Sequence, residues 1–129
     1  MTGVNSVTQA FMGDAVYELI VRCRLVEGGR TFAADRLHRE AVRYVKAASQ
    51  AAALRVITSR GLLSVEEAEV VRKARNRKPK TVPKNTDPVD YKLATGLEAL
   101  LGFHYLAGRT ERAEELVSFA MAIIDEGGI

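Results

Sequence analysis

Apolar residues recur at helical spacing along nearly the whole chain. They dominate from Val7 to Val26, behind a capping signal formed by Asn5 or Ser6 with Gln9, until Gly28-Gly29 stops the run. A second, amphipathic segment has Thr31 available as its cap and passes through Leu37, Ala41, Val45 and Ala48. A break or bend is expected before a third segment through Ala52, Leu54 and Ile57, which Gly61 ends. Ser64-Val65-Glu66-Glu67 is a capping box opening a fourth helix through Ala68, Val71 and Ala74. Residues 76–86, NRKPKTVPKNT, hold two prolines and no sustained period, which predicts a loop. Thr86 or Asp87 then caps a fifth helix with Pro88 in its first turn and apolar spacing from Val89 to Leu106, closed by Gly108. A sixth runs from near Thr110 to Ile124. With no strand-period stretch and no internal repeat, the predicted class is all-α.

Composition narrows the setting. A chain of 129 residues at 47% hydrophobic content suits one compact domain. The lone cysteine, Cys23, excludes an intrachain disulfide and a thiolate metal cluster, fits a reducing cytoplasm, and is expected in a core or an interface. There is neither a signal-peptide pattern nor a run of 18 apolar residues, so no membrane partner is expected.

The net charge of +3 is modest, but its distribution is uneven. Seven bases and no acid lie between Arg72 and Lys84, whereas the last helix is acid-rich. Such a segment attracts a phosphate backbone regardless of base sequence, although a solvated, solubilising loop has the same composition. It contains no aromatic residue on which unpaired bases could stack, and so suits a duplex backbone better than a single strand.

Two carboxylates stand out in apolar surroundings. Val7, Phe11, Asp14 and Glu18 form one row on the first helix, and Tyr91, Ala94, Glu98, Leu101 and Tyr105 form a stripe on the fifth. Asp14 and Glu98 are thus expected to be sunk among core residues, where a carboxylate needs a basic partner, a raised pKa or a bound cation. One reading pairs them separately with bases such as Arg22, Arg43 or Lys92. The other brings them together as ligands of a hard divalent ion such as Mg²⁺, able to activate water and polarise a phosphate. Glu18 could act through a bridging water or pair with Arg22 one turn on. His104, among Phe103, Tyr105 and Leu106, reads as a packed side chain rather than a general base.

Gly13-Asp14-Ala15-Val16-Tyr17-Glu18 resembles the signature helix of the ribonuclease III endonuclease domain, and Ala94-Thr95-Gly96-Leu97-Glu98-Ala99-Leu100-Leu101-Gly102 resembles its second acidic segment. Arg75-Asn76, Pro83-Lys84-Asn85-Thr86-Asp87 with Tyr91, and Leu37-His38 with Ser49-Gln50 make the fit closer to the small bacterial branch, Mini-ribonuclease III. The resemblance runs from about Ser6 to Val117 and implies a homodimeric, all-helical bundle. It also implies a single catalytic domain over residues 1–129, without a separate double-stranded-RNA-binding domain. The implied activity is Mg²⁺-dependent cleavage of double-stranded RNA into 5′-phosphate products. The implied role is maturation of large-subunit (23S) ribosomal RNA precursor ends in the cytoplasm.

On this resemblance Asp14 is the catalytic acid and Asp14 and Glu98 are the metal ligands. Two further acids of full-length ribonuclease III are replaced here by Ala10 and Thr95, a thinning that the Mini-ribonuclease III branch shares. Thr95 and Glu18 are candidates for supporting the metal shell from outside. Arg75, Asn76, Arg77, Lys78, Lys80, Lys84 and Asn85 are the candidate RNA contacts, to phosphates or 2′-hydroxyls. The rival reading is a non-catalytic helical RNA-binding or ribosome-assembly protein that uses the same basic loop.

Overall fold

Asn5, rather than Ser6, caps the first helix, its side chain accepting a hydrogen bond from the Thr8 amide at 2.9 Å. The helix, α1, runs Ser6–Glu27 in the computed structural model, which describes residues 4–28, 33–78 and 81–127. The second helix, α2 (Ala34–Val45), follows Ala33, which makes no side-chain cap; Thr31 lies outside the described residues. The expected break comes earlier than its apolar spacing suggested, at Lys46 in extended conformation, so Ala48 belongs to α3 (Ala47–Ser59). No proline or glycine marks this break. It is held from outside, because the Tyr17 hydroxyl donates to the Tyr44 carbonyl at 3.0 Å and the Gln50 amide to the Val45 carbonyl at 2.8 Å.

The later boundaries follow local chemistry. The Ser64 capping box forms reciprocally with Glu67 and starts α4 (Val65–Asn76). Asp87 accepts hydrogen bonds from the Val89 and Asp90 amides at 2.8 and 3.2 Å, and Pro88 opens α5 (Pro88–Leu106). Gly108, at φ +80°, turns the chain into α6 (Thr110–Gly127). Among the described residues there is no strand, and no helix is long and apolar enough to cross a membrane.

α5 is the central element. Leu93, Leu97, Ala99, Leu100 and Leu101 point to several sides of it and are all buried, with α1, α3, α4 and α6 packed around. Two glycines set its crossing with α1. A Cβ on Gly13 would stand 1.5 Å from the Glu98 carbonyl oxygen, and one on Gly102 would stand 1.9 Å from that of Gln9. The two backbones touch where side chains would hold them apart, and residues 14 and 98 are brought together as a result.

At the other end of α5, buried Glu67 accepts hydrogen bonds from His104 Nε2 at 2.6 Å and from Arg112 Nε and Nη2 at 2.8 and 2.9 Å. Burial works to raise Glu67, but Arg112, the Ser64 amide and His104 bring it down to about 2. Arg109 Nε donates to His104 Nδ1 at 3.0 Å, which leaves Nε2 as the protonated nitrogen. Burial lowers the His104 pKa, and the ring serves as a neutral clamp between helices.

Candidate active site

The row Val7, Phe11, Asp14 and Glu18 does not enter the core. α1 buries Gly13, Val16, Tyr17 and Val21 instead, and Asp14 is exposed. The correction has a steric cause, since the glycine face must lie against α5 and turns the adjacent residue outward. Glu98 is half-buried, and the Glu98 stripe is buried at Ala94 and Leu101 but exposed at Tyr105. Both acids line one cavity of about 660 Å³, open between α1, the C-terminal end of α4 and α5.

No ion pair joins either acid to a base among the described residues. Arg22 is held by Glu18 at 2.7 Å and Arg43 by Asp125 at 2.7 Å, which removes two of the three expected partners. Burial pushes Glu98 up to about 8; the Gln50 amide works in the opposite direction, while the charge of Asp14 and a hydrogen bond between the two carboxyl groups add to the rise. An acid site this poorly neutralised fits a hard cation. Mg²⁺ takes oxygen ligands and commonly uses only one or two carboxylates, retaining waters, which is the donor set present here. No group of three or more His, Cys, Asp or Glu side chains gathers among the described residues.

Thr95 also lines the cavity, its hydroxyl donating to the Tyr91 carbonyl at 2.8 Å and keeping its oxygen lone pairs available. Glu18 is drawn to Arg22 and does not line the cavity. Of the candidate RNA contacts, Arg77 and Lys78 line the cavity beside the acids, joined by Lys92 from α5. Arg75 instead lines a second cavity of about 460 Å³, with Arg55 and Arg72, between α3, α4 and α5. Asn76, Lys84 and Asn85 are exposed outside both cavities, with Asn85 at φ +69° forming a turn, and Lys80 lies outside the described residues.

Two site residues escaped the sequence reading of the chemistry. Gln50, buried in α3, donates from Nε2 to Glu98 Oε2 at 3.2 Å. Tyr17 is buried beside Glu98; burial first, then the Glu98 charge, raise its pKa. Ser49-Gln50 was visible only as a family mark, because a glutamine in an alanine-rich helix shows no period that singles it out. Cys23 is exposed, which removes the core as its place.

An all-helical domain that sets paired carboxylates in a cavity shared with arginine and lysine has the layout of a nuclease, and the Ribonuclease III domain family matches residues 8–109. Mini-ribonuclease 3 of Symbiobacterium thermophilum is 46% identical over 120 residues, covering 93% of this chain and 90% of that one. Mini-ribonuclease 3 of Streptococcus pneumoniae is 35% identical over 122 residues, covering 95% and 94%. A crystal structure of a protein from Fusobacterium nucleatum matches with a TM-score of 0.80 at 26% identity, over 99% of this chain and 97% of that one. The chain belongs to the ribonuclease III family of endoribonucleases, in its Mini-ribonuclease 3 branch. The reading as a non-catalytic RNA-binding protein gives way to that of an enzyme acting on RNA.

Proposed function

We propose that this chain cleaves double-stranded RNA in a Mg²⁺-dependent reaction, leaving 5′-phosphates, and that its substrate is large-subunit (23S) ribosomal RNA precursor in the bacterial cytoplasm. The observation that carries the reading is the adjacency of Asp14 and Glu98, without a basic partner, in a cavity they share with Arg77, Lys78 and Lys92. Asp14 and Glu98 would hold the ion, with Thr95 near it. Bound there, the cation supplies the Lewis acidity that activates water and neutralises charge on the scissile phosphate. Arg77, Lys78 and Lys92 draw in the phosphate backbone and orient it over the acids.

A homodimer supports paired cuts. Val7, Phe11, Ala15, Leu19, Cys23 and Val26 follow one another at three- and four-residue steps on the outward face of α1, and all are exposed, Phe11 by 76%. A second copy applied to this stripe would bury it and present two sites to the two strands.

The test is incubation of purified protein with duplex RNA in Mg²⁺ or in EDTA, alongside Asp14→Asn, with duplex DNA of the same sequence as competitor. Cleavage only with Mg²⁺, none by Asp14→Asn, and poor competition by DNA is the expected outcome. Asp14→Asn cutting as well as wild type would overturn the assignment.

A further inference from the structure

The site contains a buried polar side chain that binds no substrate in this reading. Gln50 is 2% exposed, on the core side of Glu98. Its Nε2 donates to the Val45 carbonyl at 2.8 Å and to Glu98 Oε2 at 3.2 Å. Its Oε1 is buried with no hydrogen-bond partner. The orientation of the amide is therefore determined by its neighbours, since turning it over would set Oε1 against a carbonyl and a carboxylate, both acceptors.

A buried amide with an orphaned acceptor costs stability, and an apolar side chain of the same shape would remove that cost. Besides holding the Val45 carbonyl, the amide acts on Glu98. It occupies one lone pair of Oε2. The anchor for this contact is itself braced, because Val45 lies at the α2–α3 break, where the Tyr17 hydroxyl holds the neighbouring Tyr44 carbonyl at 3.0 Å. A chain of hydrogen bonds thus runs from the break through Gln50 to one of the two acids.

We infer that Gln50 is a positioning residue for the cation site: its buried amide, anchored on the Val45 carbonyl, orients the Glu98 carboxylate toward the place a divalent ion would take. The inference rests on the proposed metal role of Asp14 and Glu98. Partners that hydrogen-bond a metal-ligating carboxylate from behind typically contribute 10–100-fold to metal affinity.

The test titrates Mn²⁺, a spin-detectable substitute for Mg²⁺, into wild type, Gln50→Met, Ser49→Ala and Glu98→Gln, reading free Mn²⁺ by electron paramagnetic resonance and following thermal melting in parallel. Gln50→Met keeps the volume and removes both donors. It should melt within about 4 °C of wild type, the scale of a 1 kcal/mol change in a domain of this size. Its Mn²⁺ dissociation constant should rise by about tenfold or more, and the Mg²⁺ concentration for half-maximal cleavage should move by the same factor, while the rate at saturating Mg²⁺ largely returns. Ser49→Ala, the adjacent buried residue with an equally unpartnered hydroxyl, should leave affinity unchanged. In wild type, the Gln50 side-chain NH₂ resonances should shift on addition of Mg²⁺, a measurement that decides the matter even if Gln50→Met fails to fold.

Gln50→Met binding Mn²⁺ within twofold of wild type, Ser49→Ala weakening it equally, or Gln50 resonances unmoved by Mg²⁺ would each overturn the positioning role while leaving the metal reading intact. A wild-type protein that takes up no Mn²⁺ overturns both.

Discussion

Gly13 lies against the backbone of Glu98, leaving no room for a side chain: a Cβ there would be 1.5 Å from the Glu98 carbonyl oxygen. The obstacle is backbone, which cannot rotate aside, so Gly13→Ala must push α1 off α5. Its melting temperature should fall by an amount corresponding to about 3 kcal/mol or more, as for severe overpacking. Protein that still folds should cut poorly, because the same shift separates Asp14 from Glu98. Thermal melts and single-turnover cleavage of one preparation check both outcomes.

Glu98 makes the apo protein sensitive to pH. Its carboxyl is raised to about 8, so between the ordinary carboxylate range and pH 8 the folded state binds more protons than the unfolded one. Stability without metal should therefore decline as pH rises through that window. Glu98→Gln, which cannot ionise, should be more stable than wild type at pH 8 by about 4 kcal/mol, with the difference closing toward pH 5. It should not cleave. Melting curves in EDTA at several pH values measure the difference, and equal stability at pH 8 contradicts it.

Glu67 carries the opposite sign. Held down to about 2, it contributes stability that is complete above the unfolded carboxylate pKa near 4.5 and lost as pH falls from there toward 2. Glu67→Ala leaves Arg112 and His104 without their shared acceptor and should cost about 3–5 kcal/mol, as for a broken buried pair. Denaturant titrations at pH 7 and pH 3 should show the gap between wild type and variant narrowing in acid.

Arg77 and Lys78 share the cavity with the acids without touching them through an ion pair. Arg77→Ala and Lys78→Ala should raise KM for duplex RNA with a smaller effect on kcat. Each should reduce the salt dependence of binding by about one counterion. Initial rates over a series of KCl concentrations separate this from a structural effect, which would lower kcat throughout.

Leu19 is 56% exposed on the apolar face of α1 and does not line the cavity. By light scattering the wild type should be a dimer and Leu19→Asp a monomer. A dimer that survives this change moves the proposed interface elsewhere.

How far the sequence determined this protein can be seen at individual residues. The Ser64–Glu67 box, the Asp87–Pro88 start and the glycine at 108 rest on contacts within four residues, so the helices they bound are legible in the chain itself. The all-α class was legible too, since it is a matter of period, whereas the choice of Asp14 and Glu98 as site acids came from the family pattern. The break at Lys46 was misplaced because side chains rather than a proline or glycine hold it, Tyr17 from distant α1 and Gln50 from the first turn of α3. Asp14 was read as buried because periodicity gives a helix a face but does not say which neighbour claims it. Only tertiary contact decided that the glycine face of α1 meets α5, turned Asp14 outward beside Glu98, and placed Gln50 behind it. The reason is steric: local sequence sets where helices begin and end, but the absence of side chains at Gly13 and Gly102 sets how closely two of them cross, and the site depends on that distance.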